Sequence, residues 1–140
     1  MLQPRKMKHA RWHLPKLKKM ARRGTKLSFG SFGLKSLGSK WITSRQIEAS
    51  RLAIVRALKK KGRMWLRIFP YHPITSKGSE AAMGGGKGKI SHYISPISPG
   101  KIIFELDGIE EEEARKILKK VGSKLPIKTK FIKRPVAGDN

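Results

Sequence analysis

Two groupings in the sequence have residue types at spacings that chemistry could use. The first is Gly84-Gly85-Gly86-Lys87-Gly88-Lys89, where bare glycine amides and lysine charge could cradle a phosphate. A nucleotide-hydrolysing P-loop needs Gly-x4-Gly-Lys-Ser/Thr leading into a helix. Here Lys89 is followed by Ile90 and a strand-like run, so the spacing fails. The loop remains suited to phosphate contact, or it is merely flexible. The second grouping is His9 and His13, spaced i, i+4 as two metal ligands on a helix would be. They lie among Lys8, Arg11 and Lys16, which repel a cation, and no carboxylate nearby in sequence could serve as an outer partner. Phosphate contact or base stacking suits them better.

Other chemistry is scarcer still. Glu110, Glu111, Glu112 and Glu113 form an acidic run, but they open a predicted helix, where the macrodipole accounts for them. Only Asp107 and Asp139 could complete a Ser-His-Asp arrangement, and no nucleophile elbow accompanies them. The chain has no cysteine, which excludes disulfides, thiolate zinc sites and a cysteine nucleophile. We expect no catalytic residue, no metal and no cofactor.

What the sequence has in excess is positive charge. The 140 residues carry a net charge of +24. Residues 1–77 hold 21 Lys/Arg against the single acid Glu48, whereas residues 78–140 hold 12 Lys/Arg against eight acids. Such a field repels itself and attracts phosphate backbones, so folded RNA is the expected partner. Aromatic residues are 7% of the chain and lack the tandem pattern of a single-strand RNA platform. Recognition by shape and phosphate is therefore expected. A DNA-compacting protein would need the same field; an RNA-modifying enzyme would need a cofactor pocket or catalytic acid that cannot be placed. No apolar run approaches the ~20 residues of a membrane span. The first residues lack an apolar signal core, and Pro4 and Pro15 interrupt the long amphipathic helix of a transit peptide.

The elements that must present these charges can be read in outline. Residues 1–26 hold ten Lys/Arg and no acid and read as an extended basic arm, at most ~85–90 Å long, in which Trp12 needs a base or the domain to pack on. Residues 27–134 read as one domain, with a flexible Gly-rich loop at 76–89 and a polar tail at 135–140. The Phe-Gly pairs at 29–33 suggest a bulged strand whose glycines admit another backbone or a ribose-phosphate. Residues 38–40 read as a turn. Thr43 and Gln46 have capping-box spacing, and Gly62 is placed to follow the helix end. On that helix Ile47, Ile54, Val55 and Leu58 cluster on one side, with Arg45, Arg56 and Lys60 on the other.

Further strands are expected at 64–69, 90–97, 101–106 and 127–132, with a rigid corner framed by Pro70 and Pro73. A second helix is expected at 110–123, where Ala114, Ile117, Leu118 and Val121 keep helical spacing. Trp65, Phe69, Phe104 and Phe131 are expected in the core. The fold class is α+β, with two helices packed on a mixed or antiparallel sheet.

The motifs, taken in order, resemble the bacterial-type L-sixteen family of large-subunit ribosomal proteins. They are Met1-Leu2-Gln3-Pro4, Ser28-Phe29-Gly30-Ser31-Phe32-Gly33-Leu34-Lys35 and Thr43-Ser44-Arg45-Gln46-Ile47-Glu48-Ala49. Trp65-Leu66-Arg67-Ile68-Phe69-Pro70 follows, with Pro73-Ile74-Thr75, Met83-Gly84 and Gly86-Lys87-Gly88. Pro99-Gly100-Lys101, Asp107-Gly108 and Lys124-Leu125-Pro126-Ile127-Lys128-Thr129 complete the match over nearly the whole chain. The chain departs from the family at Ala81-Ala82, where Val-Arg is usual, along residues 16–23, and at His92-Tyr93-Ile94.

The resemblance implies a hammerhead-type fold and a non-enzymatic place on large-subunit rRNA beside the aminoacyl-tRNA site, near the peptidyl-transferase centre. Candidate rRNA contacts in the arm are Arg5, Lys6, Lys8, Arg11 and Trp12, then Lys16, Lys18, Lys19, Arg22 and Arg23. In the body they are Lys35, Arg45, Arg56 and Lys60. The loop of Met83, Gly84, Gly85, Gly86, Lys87, Gly88 and Lys89 is expected to face tRNA. Neighbouring ribosomal proteins are further expected partners; a homo-oligomer is not expected. The departures suit an organellar ribosome or a divergent bacterium, with a slight lean to the organelle.

Overall fold

The computed structural model describes residues 2–5, 14–15, 20–76 and 89–135. Its elements run β1 (Phe32–Ser36), β2 (Lys40–Thr43), α1 (Ser44–Leu58), β3 (Arg63–Leu66), β4 (His72–Ser76), β5 (Lys89–Ile97), β6 (Ile102–Asp107), α2 (Glu111–Gly122) and β7 (Thr129–Lys133). The fold class is the expected α+β. The strands form two sheets rather than one: β3-β6-β1-β7 and β2-β5-β4. Every pairing is antiparallel. Among the described elements the chain passes between the sheets repeatedly, the last time at the β5–β6 turn. Gly100 takes a φ of +93° there, its amide donates to the Ser36 carbonyl at 2.8 Å, and Ser36 donates back to Lys101 at 2.8 Å. The turn is thus sewn to the end of β1, and the chain leaves it in the other sheet.

Helix α1 begins as its sequence dictates. The Thr43 hydroxyl accepts from the Gln46 amide at 3.2 Å, and the Gln46 side chain accepts from the Thr43 amide at 2.9 Å. Ile47, Ile54 and Leu58 are buried as expected, but Val55 is 46% exposed; it lies at the rim of the ~100° apolar stripe that the core accepts. The far end also differs from expectation. The helix stops at Lys59, which turns left-handed at φ 47°, followed by Lys60 at φ 68°. Gly62 serves a different purpose: a Cβ there would lie 2.8 Å from the Asp107 carbonyl.

Helix α2 buries Ala114, Ile117, Leu118 and Val121, the four positions its spacing predicts. Helix α1 packs against β2, β3 and β5 and helix α2 against β1 and β7, and β6, between β3 and β1, is buried from Ile102 to Leu106. Leu34 and Phe104 complete this centre.

Two strands were concealed in the sequence. The supposed turn at 38–40 overlaps the start of β2 at Lys40, and β4 begins at His72 inside the proline-framed corner and runs on past it. Pro73 is tolerated because β4 is an edge of its sheet, where a missing amide donor can face outward. Residues 28–31 are irregular, and the strand expected there begins at Phe32. Of the four aromatics expected in the core, Phe104 is fully buried, Trp65 and Phe131 are half-buried, and Phe69 is 43% exposed.

Candidate nucleic-acid interface

The organising group is Glu105. It interrupts the apolar run of β6, and its side chain has no solvent exposure. One carboxylate oxygen accepts three successive backbone amides, from Ser28 at 2.9 Å, Phe29 at 2.9 Å and Gly30 at 3.0 Å. The other oxygen accepts from the Arg67 guanidinium. Burial alone would push this carboxyl up. The Gly30 amide, the Arg67 guanidinium and the Phe29 and Ser28 amides outweigh it and hold the group below the ordinary glutamate range.

Gly30 is required by proximity, since a Cβ there would lie 2.5 Å from the Leu106 carbonyl. Of the two approaches its sequence allowed, backbone or ribose-phosphate, the protein's own backbone occupies it. Phe29 stacks on Trp65 with ring centroids 6.0 Å apart, and Arg67 lies over the Phe29 ring at 5.2 Å.

This knot anchors the chain where the arm joins the body. Just before it, the Ala21 amide donates to the Pro99 carbonyl at 2.9 Å, and the Ile102 amide donates to the Gly24 carbonyl at 2.7 Å. The Lys101 ammonium reaches the Arg23 carbonyl at 3.5 Å. Residues 21–24 are thereby strapped across the β5–β6 turn, with a cleft of about 590 Å³ lined by Arg22, Arg23, Arg67, Phe69, Tyr71 and Lys101, among others. Burial, and then the neighbouring Arg67 charge, lower the pKa of Lys101.

The predicted contact residues are placed as follows. Arg5, Arg22, Arg23, Arg45, Arg56 and Lys60 are exposed, and Lys35 is half-buried. Arg22 and Arg23 meet in the cleft wall. Arg45, Arg56 and Lys60 lie on and just beyond α1, and none of them has an acid partner among the described residues. Lys89 opens β5. Lys6, Lys8, Arg11, Trp12, Lys16, Lys18, Lys19 and the loop residues Met83 to Gly88 lie outside the described residues, as do His9 and His13.

Sequence reasoning overlooked Arg67, Lys101 and Phe69. The available signal was a lone base in one apolar strand and a lone acid in another, since isolated charges in buried strands require each other. Among the described residues, no helix is long and apolar enough to cross a membrane, and no cluster of three metal-ligating side chains occurs.

Comparison with known proteins agrees with this basic surface. The family model described as "Ribosomal protein L16p/L10e" matches residues 4–132. The protein named "Large ribosomal subunit protein uL16" from Porphyromonas gingivalis is 52% identical over 134 residues, covering 96% of this chain and 93% of the relative. Proteins of the same name from Parabacteroides distasonis and Azobacteroides pseudotrichonymphae are each 48% identical over 134 residues, covering 96% of this chain and 93% and 94% of those relatives. These relatives are bacterial, and the lean toward an organelle finds no support in them. The chain belongs to the L16p/L10e family of ribosomal proteins, structural and non-enzymatic constituents of the large ribosomal subunit.

Proposed function

We propose that this chain binds large-subunit rRNA with its basic arm and the outer face of α1, and helps shape the aminoacyl-tRNA site near the peptidyl-transferase centre. The observation that carries this reading is the exposed set Arg22, Arg23, Arg45, Arg56 and Lys60, which no acid answers among the described residues. Exposed cations left without acids are the footprint of a phosphate backbone. Family membership supports rRNA as the source of those phosphates.

Residues 1–26 act as the rRNA-binding arm, residues 27–134 as the domain that carries it, and residues 135–140 as a polar tail. Lys6, Lys8, Arg11, Trp12, Lys16, Lys18 and Lys19 extend the contact along the arm, with Arg5 near its start and Lys35 on β1. The loop of residues 83–89 faces tRNA. Its glycines permit close approach to phosphates and Lys87 and Lys89 supply charge. Neighbouring ribosomal proteins complete the surroundings, in a bacterial ribosome as the relatives suggest.

The test is binding to rRNA fragments across a salt series. Each neutralised phosphate should contribute ~0.7–0.9 to the fall of log K with log salt, so several contacts give a steep line. A flat line overturns the reading, and equal preference for duplex DNA would indicate a general polyanion binder.

A further inference from the structure

The cleft beside the strapped arm differs in composition from the rest of the basic surface. Arg22, Arg23, Arg67 and Lys101 contribute charge to its lining, Phe69 and Tyr71 contribute aromatic surface, and no carboxylate lines it among the described residues. Phe69 is 43% exposed and Tyr71 47%, although both belong to residue types that normally withdraw from water. The cleft's volume of about 590 Å³ lies within the ~300–1,000 Å³ typical of ligand sites. Its walls are held in place independently of any ligand. The arm wall is strapped by the Ala21 and Ile102 amides, and Arg67 is pinned from behind by Glu105.

This arrangement leaves positive charge without its complement. Arg67 has one carboxylate, which it shares with three amides. Arg22, Arg23 and Lys101 have no acid partner among the described residues. Lys101 is half-buried, and both its burial and the Arg67 charge oppose its protonation. An anion at the mouth would relieve that opposition. A phosphate alone would answer the cations but make no use of the exposed surface of Phe69 and of Tyr71, whose ring also meets His72 edge-on at 6.3 Å. A nucleotide answers both, because every base has a π-face that aromatic side chains accept.

We propose that this cleft receives a single unstacked nucleotide of the RNA, its phosphate against Arg22, Arg23 and Lys101 and its base against Phe69 and Tyr71. The proposal rests on the rRNA-binding reading and adds to it a discrete contact not made through phosphate alone. It predicts that one nucleotide at this point of the RNA leaves its stack and lies against protein.

Two experiments test it on the full chain. In the first, adenosine monophosphate and inorganic phosphate are titrated separately while backbone amide resonances are followed. Adenosine monophosphate should shift the amides of residues 22–23, 68, 69, 71 and 101 together and bind several-fold tighter than phosphate, which should shift only the cationic wall. Equal affinities, no saturable shift at residues 68, 69 and 71, or shifts scattered over the whole basic surface would overturn the proposal. In the second, rRNA-fragment binding is compared across salt. The Phe69→Ala/Tyr71→Ala double variant should lose about ten-fold or more in affinity, the scale of stacking one base, with its salt slope unchanged. Lys101→Gln should instead lower the slope by about one contact.

If the double variant binds as the parent does while the parent keeps its steep slope, the cleft assignment falls and the rRNA reading stands. A flat slope in the parent fells both. Should the double variant fail to fold, the mononucleotide titration of the parent and the Lys101→Gln slope still decide.

Discussion

Helix α2 carries Glu111, Glu112 and Glu113 in its first turn and Lys119 and Lys120 in its last, whereas α1 has no acid in its first turn and Arg56 in its last. Both helices bury an apolar face against the same core. On α2 the first-turn acids and last-turn bases answer the helix dipole, and Glu111 meets Arg115 at 3.1 Å and Lys133 on β7 at 3.3 Å, while Lys116, Lys119 and Lys120 have no acid partner among the described residues. On α1 only Arg51 finds an acid, Glu48, at 2.6 Å, while Arg45 and Arg56 face outward without one among the described residues. The first turn of α2 thus meets part of its charge within the fold. The cations of α1 outnumber its one acid, Glu48, and suit a partner that brings the opposite charge.

The same contrast runs through the centre, where Glu105 satisfies Arg67 and three backbone amides while the cations nearby stay open. The largest expected effect comes from breaking that internal satisfaction. Glu105→Ala should destabilise the fold by about 3–5 kcal/mol in chemical denaturation, as removal of one partner from a buried charged network does. The pH dependence has a definite sign. The folded carboxyl is held below its ordinary value, so its stabilisation is complete above the unfolded pKa of about 4.3. It is lost as pH falls through the lower, folded value. A stability profile of the parent that matches Glu105→Gln throughout the acid range would contradict the assignment.

Next in size is the property the two helices share. Ile54→Ala on α1 and Leu118→Ala on α2 remove fully buried side chains and should each cost about 2–5 kcal/mol. If only one of them destabilises on that scale, the helices do not contribute alike to the core. The helix starts should differ. Thr43 makes a complete capping box, but Glu110, which precedes α2, makes no side-chain cap hydrogen bond. Thr43→Ala should cost about 1 kcal/mol, and Glu110→Ala, which loses only a charge near the helix dipole, should cost less, about 0.3 kcal/mol.

The smallest effect on stability should accompany a clear effect on binding. Arg45→Gln/Arg56→Gln should leave unfolding unaltered and lower the salt slope for rRNA fragments by about 1.4–1.8, two contacts' worth. If the variant instead loses stability with no change in slope, those arginines belong to the fold and the comparison between α1 and α2 fails.

The sequence by itself determined much of this. The charge asymmetry, the capping box at Thr43 and Gln46, the buried positions of α2 and the order of motifs were all legible, because each depends on residues close in sequence or on simple sums. Its local signals also misled in specific places. Pro73 argued against a strand that edge position permits, and Gly62 imitated a helix terminator while serving a close approach to Asp107. Val55 fell at the margin of a stripe whose width only the neighbouring elements set.

What tertiary structure alone decided was the pairing of Glu105 with Arg67 and with residues 28–30, and hence the cleft that assembles Arg22, Phe69 and Lys101. These groups are distant along the chain; the antiparallel pairing of β3 with β6 brings Arg67 to Glu105, and hydrogen bonds from the irregular residues 21–30 bring the rest. A lone charge in an apolar strand announces that it must have a partner; which partner depends on which strands lie side by side.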